Sequence, residues 1–186
     1  MPSKAAREYA VTTYLCPSDP RNSDRTFLLG AGTCSEEEEE EGPDTTPGAI
    51  RYGRSNYVGM FGSGHLHDDD EPRAAFEGNG VFYANSRMPF SHISDGLSKT
   101  IMVGERDGRL GGSLWQGMVE DACAAMARVV GVGEHAFNAA DGHFEDLMSR
   151  HHGGVNVAYA DGHVEFLQDT IDEAVFQALC TRRGRD

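Results

Sequence analysis

Two groups of histidine and aspartate residues have side chains of the types that bind metal ions or transfer protons. The first is the segment His65-Leu66-His67-Asp68-Asp69, whose His-x-His-x-Asp spacing is used by binuclear metallohydrolases to hold an ion pair that activates water. Such sites normally follow a buried strand, whereas the glycine-containing segment 61–64 precedes this one. The context therefore favours a surface loop, and a metal-dependent hydrolase using His65, His67 and Asp68 is the alternative hypothesis.

The second group lies in a predicted β-hairpin near the end of the chain. The β-rich runs 155–160 and 163–167 are separated only by Asp161-Gly162, and a two-residue Asp-Gly link is the strongest short-range hairpin signal. A type I′ turn, which needs positive φ at both central positions, is expected there. Because His151 comes ten residues before Asp161, the segment has the pattern His-x9-Asp-Gly.

The spacing within this pattern argues against a shared chemical role for His151 and Asp161. Ten residues of extended chain at about 3.3 Å each would separate them by roughly 30 Å, unless the chain folds back at Gly153-Gly154. We therefore expect Asp161-Gly162 to build the turn, and His151 or its neighbour His152 to form hydrogen bonds at the base of the hairpin.

Aspartate–glycine pairs are a second kind of candidate metal site. Asp95-Gly96 and Asp141-Gly142 lie in predicted loops, as does Asp161. Aspartate-rich loops supply the hard oxygen ligands that Ca²⁺ prefers. A calcium site that uses Asp95, Asp141 or Asp161 is therefore one hypothesis, and ordinary Asp-Gly turns are the other.

Nucleophilic catalysis is not indicated by the sequence. The chain contains no Gly-x-Ser-x-Gly elbow and no Gly-Lys-Ser/Thr phosphate loop. Cys16 is followed by Pro17 and has no histidine near it, so a thiol nucleophile is not expected.

The four cysteines are Cys16, Cys34, Cys123 and Cys180, and no two of them form a Cys-x-x-Cys pair, so zinc-ribbon spacing is absent. Cys16 and Cys34 flank a polar loop that a disulfide would restrain. Cys123 and Cys180 both lie in helix-like sequence. Two disulfides and free buried thiols both remain open.

Composition and charge limit the classes of function. The 186 residues favour a single domain, 1–186, with long acidic loops at 18–47 and 62–79. The formal net charge of −14 argues against nucleic-acid binding, and much of it comes from the solvated acidic runs 36–41 and 68–71. No apolar run approaches the roughly 18 residues of a membrane helix and no signal peptide is evident, so the chain as given is expected to be soluble.

The elements that must position these groups are predicted to be mostly β-structure. Thr100–Glu105 predicts a central strand, 120–130 a helix, and 171–182 a last helix capped by Asp169 or Thr170. Strands outnumber helices and no βαβ alternation is visible. The predicted fold class is therefore α+β, an antiparallel β-sheet with packed helices and long irregular loops.

Six segments, taken together and in order, resemble one protein family. They are Leu15-Cys16-Pro17-Ser18-Asp19-Pro20, Ser55-Asn56-Tyr57-Val58-Gly59, the segments 80–86 and 93–106, the His151-x9-Asp161-Gly162 hairpin, and 178–184. The chain resembles the DUF1559 family, also described as prepilin-type processing-associated His-x9-Asp-Gly proteins, a planctomycete-type group of pilin-like proteins. The matching segments run from residue 15 to residue 184.

The resemblance implies a pilin-like head that is exported and assembled at the cell surface or in the periplasm, as in type IV pili or the pseudopilins of type II secretion. It implies a non-enzymatic role, other pilin-like subunits or surface proteins as partners, and calcium as the cofactor to consider. Family members usually begin with a prepilin leader and a long apolar helix, which this sequence lacks, so a membrane contact would need that helix. A small-solute-binding domain is the remaining alternative, and it would need a closed apolar pocket.

Overall fold

The computed structural model describes residues 3–30, 48–64, 66, 77–119, 122, 124–140 and 142–184. Within these ranges the strands are β1 (Thr26–Leu29), β2 (Ile50–Ser55), β3 (Tyr57–Gly62), β4 (Ile101–Glu105), β5 (Ser113–Leu114), β6 (Val130–Val132), β7 (Gly154–Tyr159) and β8 (Val164–Gln168). The α-helices are α1 (Lys4–Arg7) and α2 (Glu173–Leu179). No helix in the described part of the chain is long and apolar enough to cross a membrane.

The strands form two sheets. A three-stranded sheet has the order β1-β2-β5, and a five-stranded sheet has the order β6-β3-β4-β7-β8. All pairs are antiparallel except β3 with β6, which is parallel. The predicted α+β class is confirmed, and the strand predicted to be central is β4, the middle strand of the larger sheet.

A single residue, Asn56, separates β2 from β3 and divides the chain between the two sheets. Ser55 is the last residue of β2 and pairs with Ser113 of β5, whereas Tyr57 is the first residue of β3 and pairs with Glu105 of β4. Asn56 is therefore the junction of the two sheets, and it is almost fully buried.

The main core lies between the five-stranded sheet and α2. Phe176 of α2 is fully buried and meets Phe137 edge to face, with ring centroids 5.0 Å apart. The predicted helix 171–182 is shorter in the structure, and Asp172 caps it in place of Asp169 or Thr170, because its carboxylate accepts the amide of Val175 at 3.2 Å.

The predicted helix at 120–130 is wrong. The described residues 124–129 form hydrogen-bonded turns, in which Ala124 has the left-handed φ of 48°. Val130–Val132 continues as β6 because its backbone pairs in parallel with β3, and two valines around a glycine suit a strand buried in a sheet. Tertiary pairing has overridden the helix preference of the alanine-rich sequence.

The predicted hairpin is present, but its turn is not type I′. Gly162 has a φ of +90°, whereas Asp161 is not among the described residues with positive φ. The amide of Tyr159 donates to His163 O at 2.9 Å, so three residues rather than two connect the strands. This is the three-residue loop that ends in a left-handed glycine. Ala160 belongs to the loop because its amide donates to Thr100 O, outside the hairpin.

We expect Gly162→Ala to lower the free energy of unfolding by about 1–2 kcal/mol, because an L-residue is strained at positive φ. No atom lies within 4 Å of the added Cβ, so the change tests backbone strain alone. Gly64→Ala is the matched control, since Gly64 also has open space but no positive φ, and it should shift stability by no more than about 0.5 kcal/mol. Equal urea midpoints for the two variants would contradict this turn assignment.

Candidate functional site

Three side chains from distant parts of the chain meet at one point: Cys16, Glu105 and His151. The Cys16 Sγ atom lies 3.5 Å from His151 Nε2, and the same nitrogen lies 3.4 Å from Glu105 Oε1. One ligand atom from each residue lies within 4.8 Å of the other two. Thiol, carboxylate and imidazole groups are the common protein ligands of zinc-class ions, so this is a candidate metal centre.

Each of the three residues is positioned by a different element. Cys16 lies in the loop between α1 and β1, Glu105 is the last residue of β4, and His151 lies in the turn that precedes β7. Backbone pairing of β4 with β7 extends to Gly104 and Val157. The Glu105 carboxylate lies just beyond that pair, at the end of the ladder.

The Glu105 carboxylate is held in a fixed orientation by Asn156 of β7. The backbone amide of Asn156 donates to Oε2 at 2.8 Å, and its side-chain amide lies 3.2 Å from both carboxylate oxygens. Glu105 and Cys16 are buried, whereas the side chain of His151 is 34% exposed. The site is therefore rigid on its inner side and reachable from solvent on the histidine side.

The Ser18 hydroxyl lies beside the cluster, and Tyr57 is influenced by its charge. Ser18 Oγ is 2.9 Å from Cys16 Sγ. Burial, followed by electrostatic interaction with Glu105 and with Cys16, raises the pKa of Tyr57 to about 12. Tyr57 therefore stays protonated at neutral pH.

Beneath the cluster, Asn56 ties the Cys16 loop to the end of β4. Its Oδ1 accepts from the Cys16 amide at 2.8 Å, and its Nδ2 donates to Asp19 Oδ2 at 2.7 Å and to Arg106 O at 3.3 Å. Asp19 Oδ2 also accepts the amide of Gly108 at 2.9 Å. Asn56 and Asp19 are both buried, so this network satisfies polar groups that water cannot reach.

Arg106, which follows Glu105, extends the network into the protein interior. It is fully buried, and its guanidinium donates to four carbonyl oxygens, those of Ala127, Val130, Glu145 and Asp146. Burial lowers its pKa to about 9, although the charges of Glu145 and Asp146 favour the cation. The side chain therefore remains charged at neutral pH and ties the loops before β6 and β7 to the end of β4.

The expectation that no histidine lies near Cys16 is wrong. His151 is 135 residues away in the sequence and in contact in the fold. The family motifs carried the signal that could have found this contact. Each of four motifs contributes a residue to the junction: the Cys-Pro-Ser-Asp, Ser-Asn-Tyr and Gly-Glu-Arg segments, and the histidine of the His-x9-Asp-Gly pattern. Sequence spacing could not show that they meet.

Asp161 lies away from the cluster, as the spacing argument predicts. His151 precedes β7 and Asp161 follows it, so they occupy opposite ends of that strand. Asp161 Oδ1 is instead 2.6 Å from His163 Nδ1 and also accepts the His163 amide. These two hydrogen bonds lower the pKa of Asp161, a carboxyl at the tip of the hairpin.

Asp95, another predicted calcium ligand, anchors the end of the chain. Its Oδ2 accepts the amide of Gly184 at 2.6 Å and lies 3.5 Å from Thr181 Oγ1. Gly96 beside it has a φ of +104°, as a turn glycine does. Asp95 and Asp161 are not members of the metal-ligand cluster found among the described residues.

Some of the predicted metal ligands and cysteines lie outside the described residues, and the others lie within them. Those that lie outside them are His65, His67, Asp68, Asp141, Cys34, Cys123 and the two acidic runs. Cys16 and Cys180 are buried free thiols, and burial raises the pKa of Cys180 well above its usual range.

The protein therefore has an α+β fold. Several of its sequence motifs meet at one junction, where the buried hydrogen-bond network of Asn56 lies beside the cluster of Cys16, Glu105 and His151. The family model described as "Protein of unknown function (DUF1559)" matches residues 1–174. The chain therefore belongs to the DUF1559 family, as its motifs predict. No curated protein and no solved structure matches it.

Proposed function

We propose that this protein is the head of a pilin-like surface subunit and that it acts by assembly rather than by catalysis. Membership of the DUF1559 family supports the proposal through the resemblance stated above, in which this family is also described as prepilin-type processing-associated proteins. The antiparallel arrangement of most of the larger sheet, with α2 packed on its core, is compatible with such a head.

The observation that carries the proposal is the open edge of β8, the outermost strand of the five-stranded sheet. The amide of Tyr159 donates to His163 O, and the amide of Asp169 donates to Gly153 O. Hydrogen-bonded pairs recur at every second residue of an antiparallel ladder, so the amides of Val164 and Phe166 point away from β7. No strand in the described part of the chain covers this edge.

The side chains of the same strand are suited to contact with a partner. Val164 is 66% exposed and Phe166 is 42% exposed, on one face of β8. An apolar edge strand is a template for strand addition, in which the partner's backbone supplies hydrogen bonds and its side chains cover the apolar face. A second copy would carry the same net charge of −14, so the complementary occupant is a strand from a different, less acidic pilin-like subunit.

A photoreactive residue at position 164 tests this proposal in cells that produce the natural gene product. We expect an adduct whose second component is identified by mass spectrometry as a pilin-like subunit. The same probe at Val175, exposed on α2, is the matched control and should give no such adduct. Phe166→Lys should remove the adduct, because charge on an edge strand blocks pairing, and should lower the thermal midpoint only by the loss of the Phe166 ring contact with His151.

Three outcomes would contradict the assembly role. They are equal adducts at 164 and 175, an adduct between two copies only, and a protein that added protease cannot reach on intact cells. The last of these tests surface location independently of β8.

A further inference from the structure

We infer that Cys16, Glu105 and His151 form a binding site for one zinc-class divalent ion. The inference goes beyond the assembly role and does not depend on it. The site joins the Cys16 loop, the end of β4 and the turn before β7, three segments that only the tertiary fold brings together.

Two of the three distances between the ligand atoms match those around a tetrahedral zinc ion, and the third pair, the Cys16 sulfur and a Glu105 carboxylate oxygen, lies within 4.8 Å. With Zn–S near 2.3 Å and Zn–N and Zn–O of about 2.0–2.2 Å, tetrahedral angles separate sulfur from nitrogen by about 3.5 Å and nitrogen from oxygen by about 3.4 Å. The observed separations are 3.5 Å between Cys16 Sγ and His151 Nε2, and 3.4 Å between His151 Nε2 and Glu105 Oε1. The imidazole nitrogen therefore lies at tetrahedral distance from each of the other two ligands.

Hydrogen bonding within the cluster accounts less well for the same geometry. The Glu105–His151 distance of 3.4 Å is longer than the 2.7–3.2 Å usual for an N–H···O bond. One nitrogen, Nε2, also faces both acidic groups, and it has at most one proton to donate. In a nucleophile–histidine–carboxylate triad the carboxylate would instead meet the other ring nitrogen. A single ion between the three atoms satisfies all of them.

Surrounding groups orient the ligands as outer-shell partners do in metal sites. Asn156 fixes the Glu105 carboxylate through its backbone and side-chain amides. Asn56 holds the Cys16 backbone amide, and the Ser18 hydroxyl lies beside the sulfur. Such outer-shell hydrogen bonds fix the direction of each ligand and tune its affinity for the ion.

The ligand types decide which ion the site would take. A thiolate and an imidazole favour Zn²⁺ or Co²⁺ over Ca²⁺ and Mg²⁺, which prefer oxygen ligands alone. Three protein ligands leave one tetrahedral position for water, and His151 is the ligand on the solvent side. Binding would displace the proton of the thiol and, at acid pH, one proton of the imidazolium, so affinity should fall at acid pH.

A Co²⁺ titration of chelator-treated protein purified without a His-tag tests the site directly. We expect one ion per chain at this site, with the near-ultraviolet thiolate-to-cobalt absorption that Cys16 would produce, and displacement of Co²⁺ by Zn²⁺. Absence of the thiolate absorption, or binding of Ca²⁺ but not Co²⁺, would overturn the inference. This measurement uses the unaltered chain and so does not depend on any variant folding.

Variants then assign the ion to these residues. His151→Ala should weaken binding at least about 100-fold, because removal of a ligand costs more than the 10- to 100-fold loss on removing an outer-shell partner. The adjacent exposed His152→Ala is the control and should bind as the unaltered chain does. Cys16→Ser should remove the thiolate absorption. Loss of the ion in His67→Ala but not in His151→Ala would move the site to the other histidine cluster and overturn the assignment.

Discussion

Replacement of Arg106 by methionine is expected to lower the free energy of unfolding by about 3–5 kcal/mol. The guanidinium is fully buried and donates to carbonyl oxygens at 127, 130, 145 and 146. Methionine is unbranched like the stem of arginine but shorter and without donors, so these buried carbonyls would lose their partner, and each unsatisfied group costs about 1–3 kcal/mol before the chain relaxes. Urea denaturation followed by circular dichroism measures the loss.

Arg87→Met is the matched control for this change. Arg87 is exposed, and the same substitution there should shift stability by no more than about 0.5 kcal/mol. Arg106→Lys should recover only a small part of the loss, because one ammonium cannot replace the guanidinium at four separate carbonyls. A stability of Arg106→Met equal to that of the Arg87 variant would show that the buried network does not hold the loops to β4.

Asn56→Leu is the second change with a large expected effect, a loss of about 2–4 kcal/mol from two or more buried polar groups left without a partner. Asn56 accepts the amide of Cys16 and donates to Asp19 at the point where β2 becomes β3. Leucine keeps the branch at Cγ but places methyl groups where Asn56 makes hydrogen bonds of 2.7–2.8 Å, so steric crowding adds to the loss of those hydrogen bonds. Thermal and urea unfolding measure the change in stability.

Asn56→Asp is the informative comparison, because it keeps the size of the side chain and its acceptor atoms. It places a second carboxylate 2.7 Å from the Asp19 oxygen that now accepts the amide, so the two carboxyl groups would repel unless they share a proton. We expect this variant to be destabilised at neutral pH and to recover part of its stability as the pH falls. An Asn56→Asp protein as stable as the unaltered chain at pH 7 would contradict the network.

Several features of the fold could be predicted from local sequence alone. Residues 101–105 form the central strand of the larger sheet, which the apolar Thr-Ile-Met-Val run predicts, and the Asp-Gly link correctly predicts a hairpin. Both are short-range signals, in which the side-chain pattern and the turn residues act within a few positions. The family was predictable for a related reason, since its motifs can be read in order along the chain.

Errors arose where contacts distant in sequence override local preference. The alanine-rich stretch around 124–129 favours a helix, but Val130–Val132 gains more by pairing with β3. The turn at Asp161-Gly162 has three residues because the amide of Ala160 is held by Thr100, on a different element. In each case the deciding partner lies far along the chain, where no periodicity records it.

The sequence by itself determined the family, the α+β class, the central strand and the hairpin, because each depends on residue type and short spacing. Only the tertiary structure decided that Cys16, Glu105 and His151 share one site, because their contacts depend on how two sheets join at Asn56. The His-x9-Asp-Gly motif shows the difference plainly. Its aspartate and glycine act locally in the turn, whereas its histidine acts at the other end of β7, beside a cysteine 135 residues away in the sequence.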